Sequence, residues 1–426
     1  MRLTTLLRQA APRLLWSGQV TSSTGDRLYG VALIWITLRL TGSPAAVSLV
    51  TLADTVPFLA TSLISGAIAD RYDGLRLARA VNIAQALLVA VIPVVYLTGH
   101  LSVPVLALVA CGLSALEAFC LPSLQASLPR LVDREALTPM VSLLDTTDRL
   151  ARILGPGAIG LLVLIVPEIH LFTLDAASFL VSAFCLGRVI RHARPPVRQA
   201  GRPAESRFAQ LAAGWQVIWR HGVVRYAAGL RAACNLAWPA FTIGVPFLVA
   251  DHYHRGVGGY GLVLGAFGAG NLAGNALAGR IGESRLLRWC CAAWALAGLG
   301  FVAMALAPDF YVFVLACAGV GTCTPLANVT IDAYIARTVD QAMLARTYAT
   351  QRFLVVAAGA AGLPAAALLI SHIGPAGTLT AAGGFITCAA VAALWLQGRR
   401  TARPDDVQVR RDAPWPACCG PSSPAG

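Results

Sequence analysis

The chain has 426 residues, 57% hydrophobic and 12% charged, where a water-soluble globular protein carries about 45–50% and about 25%. Its formal charge of +13 rests on 33 arginines and no lysine, which excludes a P-loop and a Schiff-base enzyme, because both need the lysine ε-amine. At about 20 apolar residues per crossing the length accommodates about a dozen spans, so the composition predicts an all-α polytopic membrane protein.

The first apolar window, residues 14–38, contains Ser17, Thr21, Ser22, Ser23, Thr24, Asp26 and Arg27. It is too polar for a cleaved signal and no A-x-A site follows, which predicts a retained first span. Five further windows follow at 45–69, 77–98, 101–122, 146–166 and 168–190. The stretch RHARPPVRQAGRPAESR, from Arg191 to Arg207, is rich in proline and positive charge and has no helical period, as a linker does. Phe208 to Trp219 then reads as a helix lying along the membrane surface. Six more windows fall at 224–248, 257–279, 286–307, 309–331, 346–371 and 374–397. The expected domains are a six-helix bundle over 1–190, a basic cytoplasmic linker with a surface helix over 191–223, a second six-helix bundle over 224–397, and a disordered cytoplasmic tail over 398–426. Nine of the 11 cysteines lie in or beside apolar windows and read as small core residues, whereas Cys418 and Cys419 fall in the tail.

Arginine placement sets the orientation. With the N-terminus inside, 29 arginines fall on inner segments, only Arg39 and Arg255 fall on outer loops, and Arg27 and Arg231 lie within spans. That predicts a multi-pass cell-membrane protein with both termini cytoplasmic.

Ionisable groups inside hydrocarbon are expensive, and each is a candidate for function. At 1.5 Å per residue, Asp26 lies about 18 Å into the first span from the inside, while Asp54 and Glu117 lie about 14 Å and about 24 Å into the second and fourth spans from the outside. Desolvation favours the neutral form of a carboxyl, as a reversible proton carrier requires, so these three are the proton-coupling candidates. The structural alternatives are an interhelical salt bridge for Asp26, a hydrogen-bonded packing role for Asp54 and a wetted cavity wall for Glu117. Asp145, Asp148, Arg149 and Arg152 share much of one helix face and can pair internally. Asp175 reads as a structural hydrogen-bonding group. Trp35, Phe58, Arg231, Asn235, Trp238 and Asn328 are the cavity candidates, although membrane aromatics also simply pack or face lipid.

Two motifs suggest moving parts. In Gly66-Ala-Ile-Ala-Asp70-Arg71 the glycine permits close helix approach, and Asp70 with Arg71 and Arg76 offers charges that pair in one arrangement and separate in another. Solvated charges that merely stop a span are the plain alternative. In Gly155-Pro156-Gly157-Ala-Ile-Gly160 the proline bends the helix and the glycines allow tight packing at the bend. Gly261, Gly265, Gly270 and Gly274 give two G-x-x-x-G pairs suited to helix packing.

Two six-span halves around a basic linker, together with the Gly66 to Arg71 loop, resemble the major facilitator superfamily. The loop departs from the family pattern at Asp73-Gly74-Leu75, where Gly-Arg-Arg is usual. The resemblance implies that Asp70 pairs near Arg346 and Arg352 at the start of span eleven, and that Gly155, Pro156 and Gly160 form an antiporter-like motif. With Ser22 to Arg27, Leu40 to Pro44 and Leu128 to Val132, the chain is similar to the macrolide-efflux and enterobactin-exporter branch. That similarity implies secondary active export of an amphipathic drug, antibiotic or siderophore-like molecule by proton antiport. The second half has Gly279 where the corresponding loop would carry an aspartate, so unequal gates are expected.

Uptake or facilitated diffusion of a metabolite through the same architecture is the nearest rival. A membrane-embedded enzyme or a sensor is the alternative of another class; the enzyme rests only on the His170 to Asp175 spacing and on Asp251, His252 and His254 as sparse metal ligands. The expectation is therefore a transporter with no cofactor and no metal, whose partners are a small-molecule substrate, protons and the lipid bilayer. Dispersed positive charge gives no reason to expect nucleic-acid binding, and the oligomeric state is left open.

Overall fold

The computed structural model describes residues 7–69, 72–162, 165–193, 207–220, 222–282 and 286–401. Among them every regular element is helical. The first half comprises α1 (Ala10–Thr41), α2 (Pro44–Ala69), α3 (Gly74–Leu97), α4 (Val103–Ser127), α5 (Arg134–Leu162) and α6 (His170–His192). A further helix, α7 (Arg207–Arg220), precedes α8 (Gly222–Ala237) and α9 (Pro239–Phe247), which together form one crossing interrupted at Trp238. Then come α10 (Val257–Ala278), α11 (Leu286–Ala305), α12 (Phe310–Thr338) and α13 (Gln341–Thr401).

Among the described residues nine stretches are long and apolar enough to cross a membrane. The last of them bends at Gly374, whose φ of 73° lies outside the helical region, so it crosses twice, as 341–373 and 375–401. Helices α1 and α5 carry too many polar residues to qualify on hydropathy alone, and they complete the twelve. Local chemistry sets several ends. The Asp73 carboxylate caps α3 by accepting from the backbone N–H groups of Leu75 and Arg76, and Asp309 caps α12 in the same way. Gly42, at φ 56°, ends α1 with its N–H on the Leu38 carbonyl, and Pro44 opens α2 two residues later.

Within the first half α1 packs on α6 and α2 on α4; within the second, α10 packs on α12, and α11 on both α12 and α13. The halves meet along α5 with α10 and along α2 with the first limb of α13. One end of this seam is sealed by an apolar cluster, in which Leu38 and Val47 meet Ile243, Phe247, Leu363 and Ile370. Among the described residues none of the nine cysteines forms a disulfide.

Close helix approach explains the glycine stripe of α10. A Cβ on Gly274 would overlap the Thr322 carbonyl and crowd Pro325 of α12. Gly274→Leu should therefore cost about 1–3 kcal/mol, read as a lowered unfolding temperature in detergent. Gly384→Leu, where nothing lies within 4 Å of an added Cβ, should leave that temperature nearly unchanged.

Candidate functional site

The chemistry concentrates beside the seam. Two adjoining hollows of about 270 and about 300 Å³ share Asp26, Arg27, Gly30 and Asp54 on their walls. The first is bounded across the seam by Tyr260 and Leu264 of α10, the second by Arg352 and Val356 of α13. The second hollow also reaches Phe58, Glu117 and Asp175, so the acids arrive from α1, α2, α4 and α6. The three acids singled out by depth in the sequence thus border one space.

Pro57 shapes that wall. It removes a backbone donor inside α2 one turn from Asp54, and next to it the Phe58 N–H donates to the Ser114 hydroxyl of α4 at 3.0 Å. This bond ties α2 to α4 at the level of the acids. Arg27 turns away from its neighbour Asp26, as adjacent helix positions must, and its Nη2 lies 3.9 Å from Asp148 Oδ1 on α5. Both partners are about a third exposed or less and the separation is long, so the attraction is modest, and Arg27 Nε is buried without a hydrogen-bond partner. Asp148 thus pairs across helices, beyond the internal pairing that its spacing suggested.

The loop after α2 is organised by residues that sequence reasoning did not choose. Asp70 and Arg71 lie outside the described residues. Gly66 lies near the end of α2, and the Arg76 side chain is exposed while its backbone N–H serves the Asp73 cap. The same Asp73 carboxylate accepts from Arg130 Nη1 at 3.0 Å, both side chains being mostly buried. This pair joins the 2–3 and 4–5 connections within one half. Arg352, expected near Asp70, borders the acidic hollow. Gly155, Pro156 and Gly160 lie within α5, which continues as helix through them.

The remaining cavity candidates are placed elsewhere. Trp35 is 1% exposed and stacks on Tyr260, a wall residue of the first hollow, with ring centroids 5.7 Å apart. Trp238 packs with Phe241, Phe267 and Phe301 inside the second half. Arg231 Nη1 donates to Asp332 Oδ1 at 2.7 Å, the Asn235 amide donates to the Arg231 carbonyl, and Tyr348 donates its hydroxyl to the Asp332 carbonyl at 2.7 Å. Asn328, one turn before Asp332, keeps a buried Oδ1 with no partner. A polar clamp therefore joins α8, α12 and α13. Asp332 and Tyr348 were not picked out in the sequence; a lone acid just past the end of an apolar window, beside an unpaired intramembrane Arg231, was the available signal. Among the described residues no three His, Cys, Asp or Glu side chains converge as metal ligands, and the His252 ring lies edge-on to Tyr253.

Paired helical bundles with a polar hollow on their seam define a multi-pass transporter of small molecules of the major facilitator class. The model described as transmembrane secretion effector matches residues 4–417, and the chain belongs to that family. Relatives include the multidrug efflux pump Tap of Mycobacterium tuberculosis, 25% identical over 403 residues that span 91% of this chain and 93% of that one. The Tap pump of Mycolicibacterium fortuitum is 28% identical over 226 residues, covering 50% of this chain and 54% of that protein's length. The staphyloferrin A transporter of Staphylococcus aureus is 28% identical over 168 residues, covering 38% of this chain and 41% of its own. Among solved structures, an auto-inhibited POT family peptide transporter superposes with a TM-score of 0.67 at 13% identity, over 94% of this chain and 99% of that one. An inward-facing, unoccupied bacterial homologue of the human lysosomal transporter Spinster gives 0.67 at 14%, over 91% and 96%. These two likenesses concern the fold alone.

The Arg231 clamp predicts non-additive energetics. Arg231→Met and Asp332→Asn should each lower the unfolding temperature, and the double variant should lose about 1 kcal/mol less than the sum of the two, as a double-mutant melting cycle would read.

Proposed function

We propose that this protein is a secondary active exporter of amphipathic small molecules, working by alternating access of the seam hollow while protons return through Asp26 and Asp54. The observation that carries this reading is the convergence of Asp26, Asp54 and Glu117 on one space bounded by both halves. An acid on the wall of such a space meets water from whichever side is open, so it can take a proton at one face and release it at the other. Efflux-pump relatives over most of the chain support the export direction.

On this reading residues 1–190 and 224–397 rock against each other as two units, joined by the 191–223 linker, in the cell membrane with both termini cytoplasmic. The end sealed by Trp35, Tyr260 and the Leu38 cluster is then the outer one. The exposed Trp215 and Trp219 of α7, with the Arg225 guanidinium 5.1 Å from the Trp219 ring centre, suit a helix at the inner membrane surface. The Gly66 to Arg76 loop and the Gly155-Pro156-Gly160 bend serve as gate and pivot. Energetically, one proton moving inward releases about 2.3 kcal/mol per 100 mV, enough to sustain about a fifty-fold gradient of a neutral substrate.

In proteoliposomes with an imposed pH gradient, Asp26→Asn and Asp54→Asn should each cut ethidium transport at least about tenfold, with ethidium binding retained within a few-fold. Transport that survives both substitutions and collapse of the gradient would favour facilitated diffusion instead.

A further inference from the structure

One acid on the cavity wall has no part in that cycle. Asp175 lies on α6, 1% exposed, where α6 packs on α1. Gly25 of α1 faces it, and a Cβ there would overlap the Ser178 hydroxyl and crowd the Asp175 carboxyl, so the α1 backbone rests directly on this acid. Among the described residues its one hydrogen bond is long, with Ser178 Oγ donating to Oδ1 at 3.4 Å. One turn further along the same seam, Tyr29 packs edge-on against Phe172 with ring centroids 5.8 Å apart. Tyr29 is 7% exposed and lines the same hollow, and its hydroxyl is buried without a hydrogen-bond partner. A buried donor without an acceptor and a buried acid with a single weak donor are each costly, and both face one small space.

Among the described residues no cation is dedicated to Asp175. Helix α1 brings Asp26, Tyr29 and Arg27, the last of which leans to Asp148; α2 and α4 bring Asp54 and Glu117. Helix α3, packed on another side of α6, brings Arg79, whose guanidinium lies against Gly187, twelve residues along the helix. Arg352 reaches the hollow from α13 across the seam.

We propose that Asp175 is a further proton-binding acid of this transporter and that Tyr29 is its positioning residue, turning its hydroxyl onto the carboxylate when the proton leaves for the hollow. The proton departs from the carboxyl oxygen to solvent, the electron pair stays on the carboxylate, and the Tyr29 O–H supplies the second hydrogen bond. Because Asp175 lies beneath the stretch of α1 that carries Asp26 and Arg27, its protonation alters how that stretch seats on α6. This inference rests on the proton-coupled reading of the same cavity.

The test is infrared pH-difference spectroscopy of the full-length protein in lipid nanodiscs. A carboxylic C=O band should titrate in the wild type, vanish in Asp175→Asn and persist in Asp26→Asn and Asp54→Asn. Tyr29→Phe should displace its titration by about one pH unit, since the ionised form loses its incoming donor. Asp175→Glu, which keeps the acid, should shift the band frequency and serves if the asparagine variant does not fold. A band unaltered by both Asp175 substitutions, or a titration unmoved by Tyr29→Phe, overturns the proposal. The measurement involves no transport: an intact band without pH-driven export defeats the export reading alone, and export without the band defeats this inference alone.

Discussion

Charge inside the bundle is the constraint on which this structure turns. A carboxylate removed from water costs several kcal/mol unless a cation or donors offset it. The cations that could do so within the spans are few, and two of them are engaged elsewhere: Arg27 leans to Asp148 and Arg231 is clamped to Asp332. Among the described residues Asp26 and Asp54 stand on the wall of a hollow with no ion pair within 4 Å. A conventional salt bridge at Asp26 would have stabilised one arrangement of helices.

Backbone packing makes that arrangement possible and divides the labour between the halves. Gly25 lets α1 lie against α6, which fixes the depth of Asp26, and Pro57 with the Phe58 to Ser114 bond fixes α2 against α4 beside Asp54. The second half contributes a different set. Arg231, Asp332 and Tyr348 are engaged with one another in the clamp, and aromatic rings pack around Trp238 in its interior. What it offers the hollow is Tyr260, Leu264 and Val356, with Arg352 as its charge.

Spans were legible because a membrane helix must satisfy its backbone internally and present apolar side chains for about 20 residues, a constraint that hydropathy reads directly. The break in α13 was legible as the boundary between the apolar windows 346–371 and 374–397; Gly374, at φ 73°, followed by Pro375 makes the turn there. Rise per residue did not say that Asp26, Asp54 and Glu117 would border one space, but it placed Asp26 and Asp54 at a similar depth and Glu117 nearer the inner end, because depth is a one-dimensional quantity. Azimuth and partner choice are not. Asp332 lies one residue beyond an apolar window, so its contact with Arg231, 101 positions away, left no periodic trace. Asp73 pairs with Arg130 across 57 positions, and nothing in Leu128-Pro129-Arg130 distinguishes that arginine from a topological charge. Trp35 illustrates the same limit, since a ring that stacks on Tyr260 and a ring that faces lipid have the same sequence signature.

The distribution of ion pairs bears on how such a molecule can move. The pairs at Arg27, Arg39, Arg130 and Arg231 each join segments of the same half. The described seal between halves is instead apolar, formed by the Leu38 cluster and the Trp35 to Tyr260 stack. Apolar surfaces slide or part at a cost of about 25 cal/mol per Å², without stranding a charge, whereas separating a buried ion pair costs about 3–5 kcal/mol for each partner left alone. Ion pairs thus tie segments within each half, and the described seal between the halves is apolar. The acids of the first half and Arg352 of the second border one hollow, so on the proton-coupled reading proposed above a change of charge there would be felt by both halves.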